Sequence, residues 1–418
     1  MSAPRRTAPA RRTAGPLDID ALITNPRTRI IVTCGAGGVG KTTTAAALGL
    51  RAALAGRRTV VLTIDPARRL AQSMGLTELD NTPRKVEGIH GPGAADGPAS
   101  GGAAAGAELF AMMLDMKRTF DEVVSAHSTP ERAQQIFANP FYQALSTSFA
   151  GTQEYMAMEK LSQLAEQSEW DLIIVDTPPS RSALDFLDAP QRLGRFLDGR
   201  LIRVLAMPAK ASGKAYFRVV TASFTLMARA ITKVLGGDLV RDVSSFVASL
   251  EAMFGGFRER ADHTYQLLKA PGTAFLVVAS PEPDALREAS YFVERLTGDN
   301  MPLAGLVLNR MHRAATSTGT STGTSTGGTG ELTARRAEAS ADALAGKPAT
   351  AARTLAQAGL RVHAEIALAA ENDARMARRF VAAHPEVAVV AVTALPTDVH
   401  DLDGLRHIGR LLAGGEAE

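Results

Sequence analysis

The chain has 418 residues, 45% of them hydrophobic, a net charge of +3 and a single cysteine, Cys34. That length suits one large α/β domain with insertions, or two domains. One cysteine rules out an intrachain disulfide, a Cys-x-x-Cys zinc clamp and a three-thiolate metalloid site, and it fits a reducing cytoplasm.

The first segment, residues 1–16, reads as a disordered basic tail. It carries Arg5, Arg6, Arg11 and Arg12 without an acid, so the body behind it is near neutral and nothing points to a nucleic-acid surface. No apolar stretch follows the arginines, which excludes a secretory or twin-arginine signal; an electrostatic tether to an anionic surface is the functional alternative. No apolar run approaches the roughly 18–20 residues that span a bilayer.

Residues 17–182 are expected to form the first part of an α/β core. The short apolar run "RIIVTC" (29–34) predicts a strand, and "TTTAAALGLRAALA" (42–55) predicts the helix after it. "RTVVLTI" (58–64), "ELFAMML" (108–114) and "DLIIVD" (171–176) predict further strands. Between them, the Gly/Ala-rich residues 91–107 read as a disordered loop. Residues 183–270 lack a strand pattern. Phe217, Val220, Phe224, Met227, Ile231 and Val234 recur at helical spacing, as do Val240, Val243, Phe246, Val247, Leu250, Met253 and Phe257. They predict a helical subdomain, its stripes serving either core packing or an exposed client groove. Strands return with "TAFLVVAS" (273–280) and "LAGLVLN" (303–309) in a second core part, residues 271–313. A low-complexity loop with a Ser-Thr-Gly repeat is expected over 314–350, and a final core part over 351–418 contains the strand "VAVVAVT" (387–393). Near-continuous apolar strands interleaved with helices predict a doubly wound, mostly parallel sheet with its site at the strands' C-terminal ends.

The site's chemistry begins at "GAGGVGKT", a G-x-x-x-x-G-K-[ST] phosphate loop between a strand and a helix. Gly35, Gly37, Gly38, Val39 and Gly40 would turn backbone N–H groups toward phosphate oxygens, and the following helix adds its N-terminal dipole. Lys41 would reach the β- and γ-phosphates, Thr42 would ligate Mg²⁺, and Thr43 completes the loop. Asp65 and Asp176 stand at strand ends, as Mg²⁺-site carboxylates or as helix N-caps.

These segments, with "TIDPARRLAQSMG", "DLIIVDTPPSRSALDFLDAP", "SPEPDALREASYFVERL" and "LVLNRMH", resemble the ArsA-like ATPases. That family takes in arsenite-pump ATPases, tail-anchored-protein targeting ATPases and bacterial anion-transporting homologues, among the MinD/ParA-type NTPases with a deviant phosphate loop. The resemblance covers most of residues 29–412. It implies an ATP- and Mg²⁺-dependent dimer, with Asp65 and Asp176 opening two switch regions. Gln72 falls where such proteins carry a residue that orients the attacking water; its alternative is a surface helix position. Asn309 matches the adenine-contacting Asn, and Pro396 and Asp398 lie in a loop over the adenine. No N-K-x-D guanine signature stands at Asn309, which favours ATP over GTP.

The chain departs from the family in three places. Ala36 stands where "GKGGVGKT" has a lysine that reaches the other subunit's nucleotide. The cysteines of arsenite and zinc sites are missing. "PSRS" replaces the common "PTGH" in the second switch. The expected function is a cytoplasmic ATPase whose nucleotide-driven dimer serves anion transport, membrane-protein targeting or another hydrophobic client. The alternative is a weakly hydrolysing ATP-binding subunit of a heterodimer with a lysine-bearing paralogue.

Overall fold

A computed structural model describes residues 14–65, 69–89, 108–140, 142–143, 146, 152–178, 259–260, 262–313, 332–345 and 350–415. Among them the elements run α1 (Ile19–Thr24), β1 (Ile30–Cys34), α2 (Lys41–Leu54), β2 (Thr59–Thr63), α3 (Arg69–Ser73), β3 (Arg84–Lys85) and β4 (Leu109–Met113). They continue with α4 (Met116–Ala126), α5 (Pro130–Phe137), α6 (Thr152–Glu166), β5 (Leu172–Asp176), β6 (Thr273–Ala279), α7 (Pro283–Gly298) and β7 (Leu303–Met311). The last are α8 (Ala334–Ala345), α9 (Ala351–Ala383), β8 (Val389–Thr393) and α10 (Leu402–Leu412).

The strands form one sheet in the order β3-β4-β2-β5-β1-β6-β7-β8. All pairings are parallel except that of β3 with β4. All seven strands expected from the sequence are present, and the sheet is doubly wound as anticipated. Successive residues of a strand point to opposite faces, and the core divides accordingly. Ile30, Val32, Val60, Leu62, Val175, Val277 and Leu308 pack with Phe120, Leu161, Phe292 and Phe380 on one face. Ile31, Val61, Ile174, Leu276, Val278 and Val307 pack with α1, α2 and α10 on the other. Because both faces are covered, the strands need apolar residues at every position. The chain leaves β1 for β2 on one side and later returns to β6 on the other. The C-terminal end of β1 is therefore a topological switch point, where such sheets leave a crevice.

Two boundaries differ from the sequence reading. The basic tail, expected to run through residue 16, is tied down sooner: the backbone N–H of Ala14 donates to Pro385 O at 2.8 Å, and Pro16 bridges β8 at Val389. The loop expected over 314–350 contains α8. Its alanines at 334, 337 and 341 are buried, and the helix packs along α9; alanine is the best helix former and allows close approach. Residues 262–269, the end of the expected helical subdomain, are helical, and Leu268 is buried in the main core. The two apolar stripes of 217–257 and the loop 91–107 lie outside the described residues. Among the described residues no helix is long and apolar enough to cross a membrane.

The fit of α2 onto the sheet gives a test. Gly49 sits mid-helix, where alanine is ordinarily better by about 1 kcal/mol. A Cβ at residue 49 would lie 2.6 Å from Val61 Cγ2 and 3.2 Å from Leu109 Cδ1. Gly49→Ala is expected to destabilise the protein by about 1–2 kcal/mol, against helix propensity, because overpacking outweighs it; urea unfolding measures the sign.

Candidate functional site

The loop between β1 and α2 is shaped by close contacts. Gly35 has φ +150°, and a Cβ there would lie 2.0 Å from the carbonyl oxygen of Val278 on β6. Gly40 has φ +92°, and a Cβ there would lie 2.2 Å from Asn309 Nδ2 on β7. Neither position accepts a side chain. Asn309 makes that second approach because its Nδ2 donates to Val39 O at 2.8 Å. Its Oδ1 accepts from the backbone N–H of Arg310 at 3.0 Å, and Arg310 itself adopts φ 59°. Asn309 is thus a buried strap joining the loop to β7. Among the described residues, no acceptor is paired with the backbone N–H groups of Gly37, Gly38, Val39 and Gly40. Helix α2 starts at Lys41 without a side-chain cap. Loop and helix end together make an anion cradle.

Lys41 is buried, and its Nζ donates to the carbonyls of Gly35 at 3.0 Å and Ala36 at 2.8 Å. Burial lowers its pKa, and the charges of Asp176 and Asp65 oppose that shift. Asp176 ends β5 with no exposed surface. Its Oδ2 accepts from Thr42 Oγ1 at 2.7 Å and from Thr63 Oγ1 at 3.0 Å. Its Oδ1 is buried and has no hydrogen-bond partner among the described residues. Burial lifts the carboxyl to a pKa of about 6, although both threonines and Lys41 pull it down. A buried acceptor left open beside a threonine hydroxyl suits a hard cation's shell.

The other expected site residues divide. Asp65 is half-buried after β2, close enough for its charge to raise the pKa of Asp176. Gln72 lies exposed on α3. Thr43, Asn309 and Asp398 line a cavity of about 400 Å³ beside the loop, with Gly40, Arg310 and Leu395. Pro396 is exposed between two residues of that lining. Ala36 packs partly buried against the core, and its carbonyl holds Lys41. The sequence reading misses Thr63. Its only signal is a hydroxyl in the last position of an apolar strand beside β5, and that pairing is a tertiary fact.

The sequence model of the anion-transporting ATPase family matches residues 28–320, which hold β1 through β7. The chain is similar to the ATPase GET3B of Arabidopsis thaliana, with 24% identity over 313 residues covering 70% of this chain and 67% of that protein. It is similar to the ATPase get3 of Schizosaccharomyces japonicus, with 24% identity over 300 residues covering 71% and 78%. It is also similar to the ATPase ARSA1 of Chlamydomonas reinhardtii, with 24% identity over 316 residues covering 70% of this chain and 36% of that protein. The chain belongs to the anion-transporting ATPase family and is a nucleotide-binding P-loop ATPase.

Asp176 yields a pH-dependent expectation. Its folded pKa, about 6, exceeds its ordinary value of 3.8. Its contribution to stability is therefore complete below about pH 4 and is lost as the pH rises through about 6. Asp176→Asn, which keeps an acceptor for both threonines, is expected to stabilise the nucleotide-free protein by about 2 kcal/mol near pH 7.5 and negligibly near pH 4. The same variant should lose ATP turnover. Thermal melts at the two pH values, beside a turnover assay, check both.

Proposed function

We propose that this ATPase binds ATP with Mg²⁺ in the crevice at the end of β1, as one subunit of a dimer in the cytoplasm. The dimer closes on ATP and opens after hydrolysis, driving anion transport, membrane-protein targeting or a related client-linked process. The observation that carries the reading is the cluster of buried Lys41 and Asp176 with half-buried Thr42, one carboxylate oxygen being left open. Thr42 and Asp176, with Asp65 nearby, would hold Mg²⁺, which when bound supplies charge neutralisation for the β- and γ-phosphates.

The chain's own residues have distinct tasks. Lys41 exchanges its two loop carbonyls for phosphate oxygens, which offsets the cost of burying its charge. The glycine-lined N–H groups hold the phosphates in register. Gln72, exposed within the first switch region that Asp65 opens, orients the attacking water by hydrogen bonding. Asn309, Pro396 and Asp398 face the adenine side.

Ala36 favours a heterodimer. A methyl group cannot reach across a subunit boundary to stabilise charge on another nucleotide. A lysine-bearing paralogue would serve this chain's site, as a cation supplied in trans does elsewhere. The second reading, an ATP-binding subunit with residual turnover, rests on the same alanine.

Native mass and ATP turnover of the chain, alone and co-expressed with its nearest encoded paralogue, separate the two. A one-to-one complex with turnover raised at least about ten-fold is expected, and Ala36→Lys should raise the turnover of the chain alone. No complex and no gain from either would leave the weakly hydrolysing switch. Lys41→Ala is expected to abolish ATP binding in either case, as read by titration calorimetry.

A further inference from the structure

The cavity beside the phosphate loop contains a side-chain pair to which the reading above gives no role. His312 follows the end of β7, and Asp373 lies on α9. One oxygen of Asp373, Oδ2, accepts twice from His312: from the backbone N–H at 2.8 Å and from ring Nδ1 at 2.8 Å. The Asp373 side chain is 10% exposed and the imidazole 49%. Both residues line the cavity with Asn309, Arg310 and Asp398.

The pair fixes a tautomer. A carboxylate oxygen only accepts, so the shared proton sits on Nδ1. In the neutral ring Nε2 then carries a lone pair. The two bonds also hold the residue in place, one through its backbone and one through its ring.

The cavity's position indicates which part of a nucleotide it takes. It begins at Gly40 and Thr43 and runs to the loop after β8, away from Lys41, Thr42 and Asp176. With phosphates on the loop, the base side of the nucleotide enters this space. Asn309 is already committed on both sides of its carboxamide, to Val39 O and to the N–H of Arg310. It keeps one N–H and one lone pair, enough for a pair of hydrogen bonds to a purine. A second neighbour of fixed polarity adds to that discrimination.

Resting on the ATP reading, we infer that the His312–Asp373 pair is a specificity determinant for the purine. Nε2 of His312 accepts from the exocyclic amine at C6 of adenine. A base with a carbonyl at C6 would set lone pair against lone pair. Asp373 is a positioning residue that acts through His312.

Inosine triphosphate has a carbonyl in place of that amine and an N–H in place of the adjacent N1 lone pair, and is otherwise identical to ATP, so it is the direct probe. Binding of ATP and of inosine triphosphate to the full chain is measured by calorimetry at about pH 8. The wild type is expected to prefer ATP by about ten-fold. His312→Ala should weaken ATP about ten-fold and should not weaken inosine triphosphate, which loses a repulsion. His312→Gln retains an acceptor oxygen and should keep most of the preference, while Asp373→Ala should lose part of it. His312→Phe, which keeps the ring's bulk without its acceptor, gives the same comparison if the alanine variant does not fold. No preference in the wild type, an unchanged ratio in the variants, or an equal loss for both nucleotides overturns the pair's role. A wild type that binds neither nucleotide overturns the ATP reading instead.

Discussion

A carboxylate removed entirely from water organises this protein. Asp176 ends β5 with no exposed surface, and a buried charge is tolerated only where hydrogen bonds and a counter-charge surround it. Thr63 from β2, Thr42 from α2 and the Lys41 ammonium supply that surrounding. These groups come from two elements, β2 and the start of α2, so β5 has to lie between β1 and β2, with α2 starting directly above. The sheet order satisfies that requirement. Its second oxygen, Oδ1, has no hydrogen-bond partner among the described residues, which leaves it available to a cation.

The loop above the carboxylate is held from the other side of the sheet. Asn309 reaches from β7 to the carbonyl of Val39, and Gly40 leaves the space for it. The loop closes onto β6 at Gly35, where a side chain would meet Val278. A phosphate cradle built in this way is preorganised, so little ordering is left for the moment of binding. Covering both faces of the sheet keeps water out of the junction, which raises the value of every charge–dipole contact in it. The alanine-rich face of α2 brings the helix close to the strands, so its N-terminus stands over the crevice.

Ala36 connects this geometry to the proposed assembly. Its carbonyl takes part in holding Lys41, a task any residue performs through its backbone. Its side chain contributes a methyl group and no charge. The phosphate loop is thus complete within the chain, while position 36 brings no charge to the proposed dimer. In the proposed heterodimer, hydrolysis depends on contact with a partner, and the chain alone holds nucleotide.

Much of this was legible in the amino-acid sequence. The apolar runs from Ile30 to Thr393 marked seven strands because a sheet buried on both faces needs apolar residues at every position. The phosphate loop announced itself because its glycines, Lys41 and Thr42 are neighbours in sequence. Asp176 was legible as the polar end of an apolar run. The partners of these residues were not. Thr63 faces Asp176 only because β2 pairs with β5, and His312 meets Asp373 only because the long helix α9 returns beside the end of β7. Helix α8 was hidden by the Ser-Thr-Gly repeat before it, since its alanines signal a helix only once α9 offers them a surface. Sequence by itself determined the elements and the phosphate-binding chemistry, because both are set by local spacing and side-chain type. Only the tertiary structure decided which distant groups share the buried charge and which line the cavity beside the phosphate loop, because those contacts depend on strand order and helix placement, which no local pattern records.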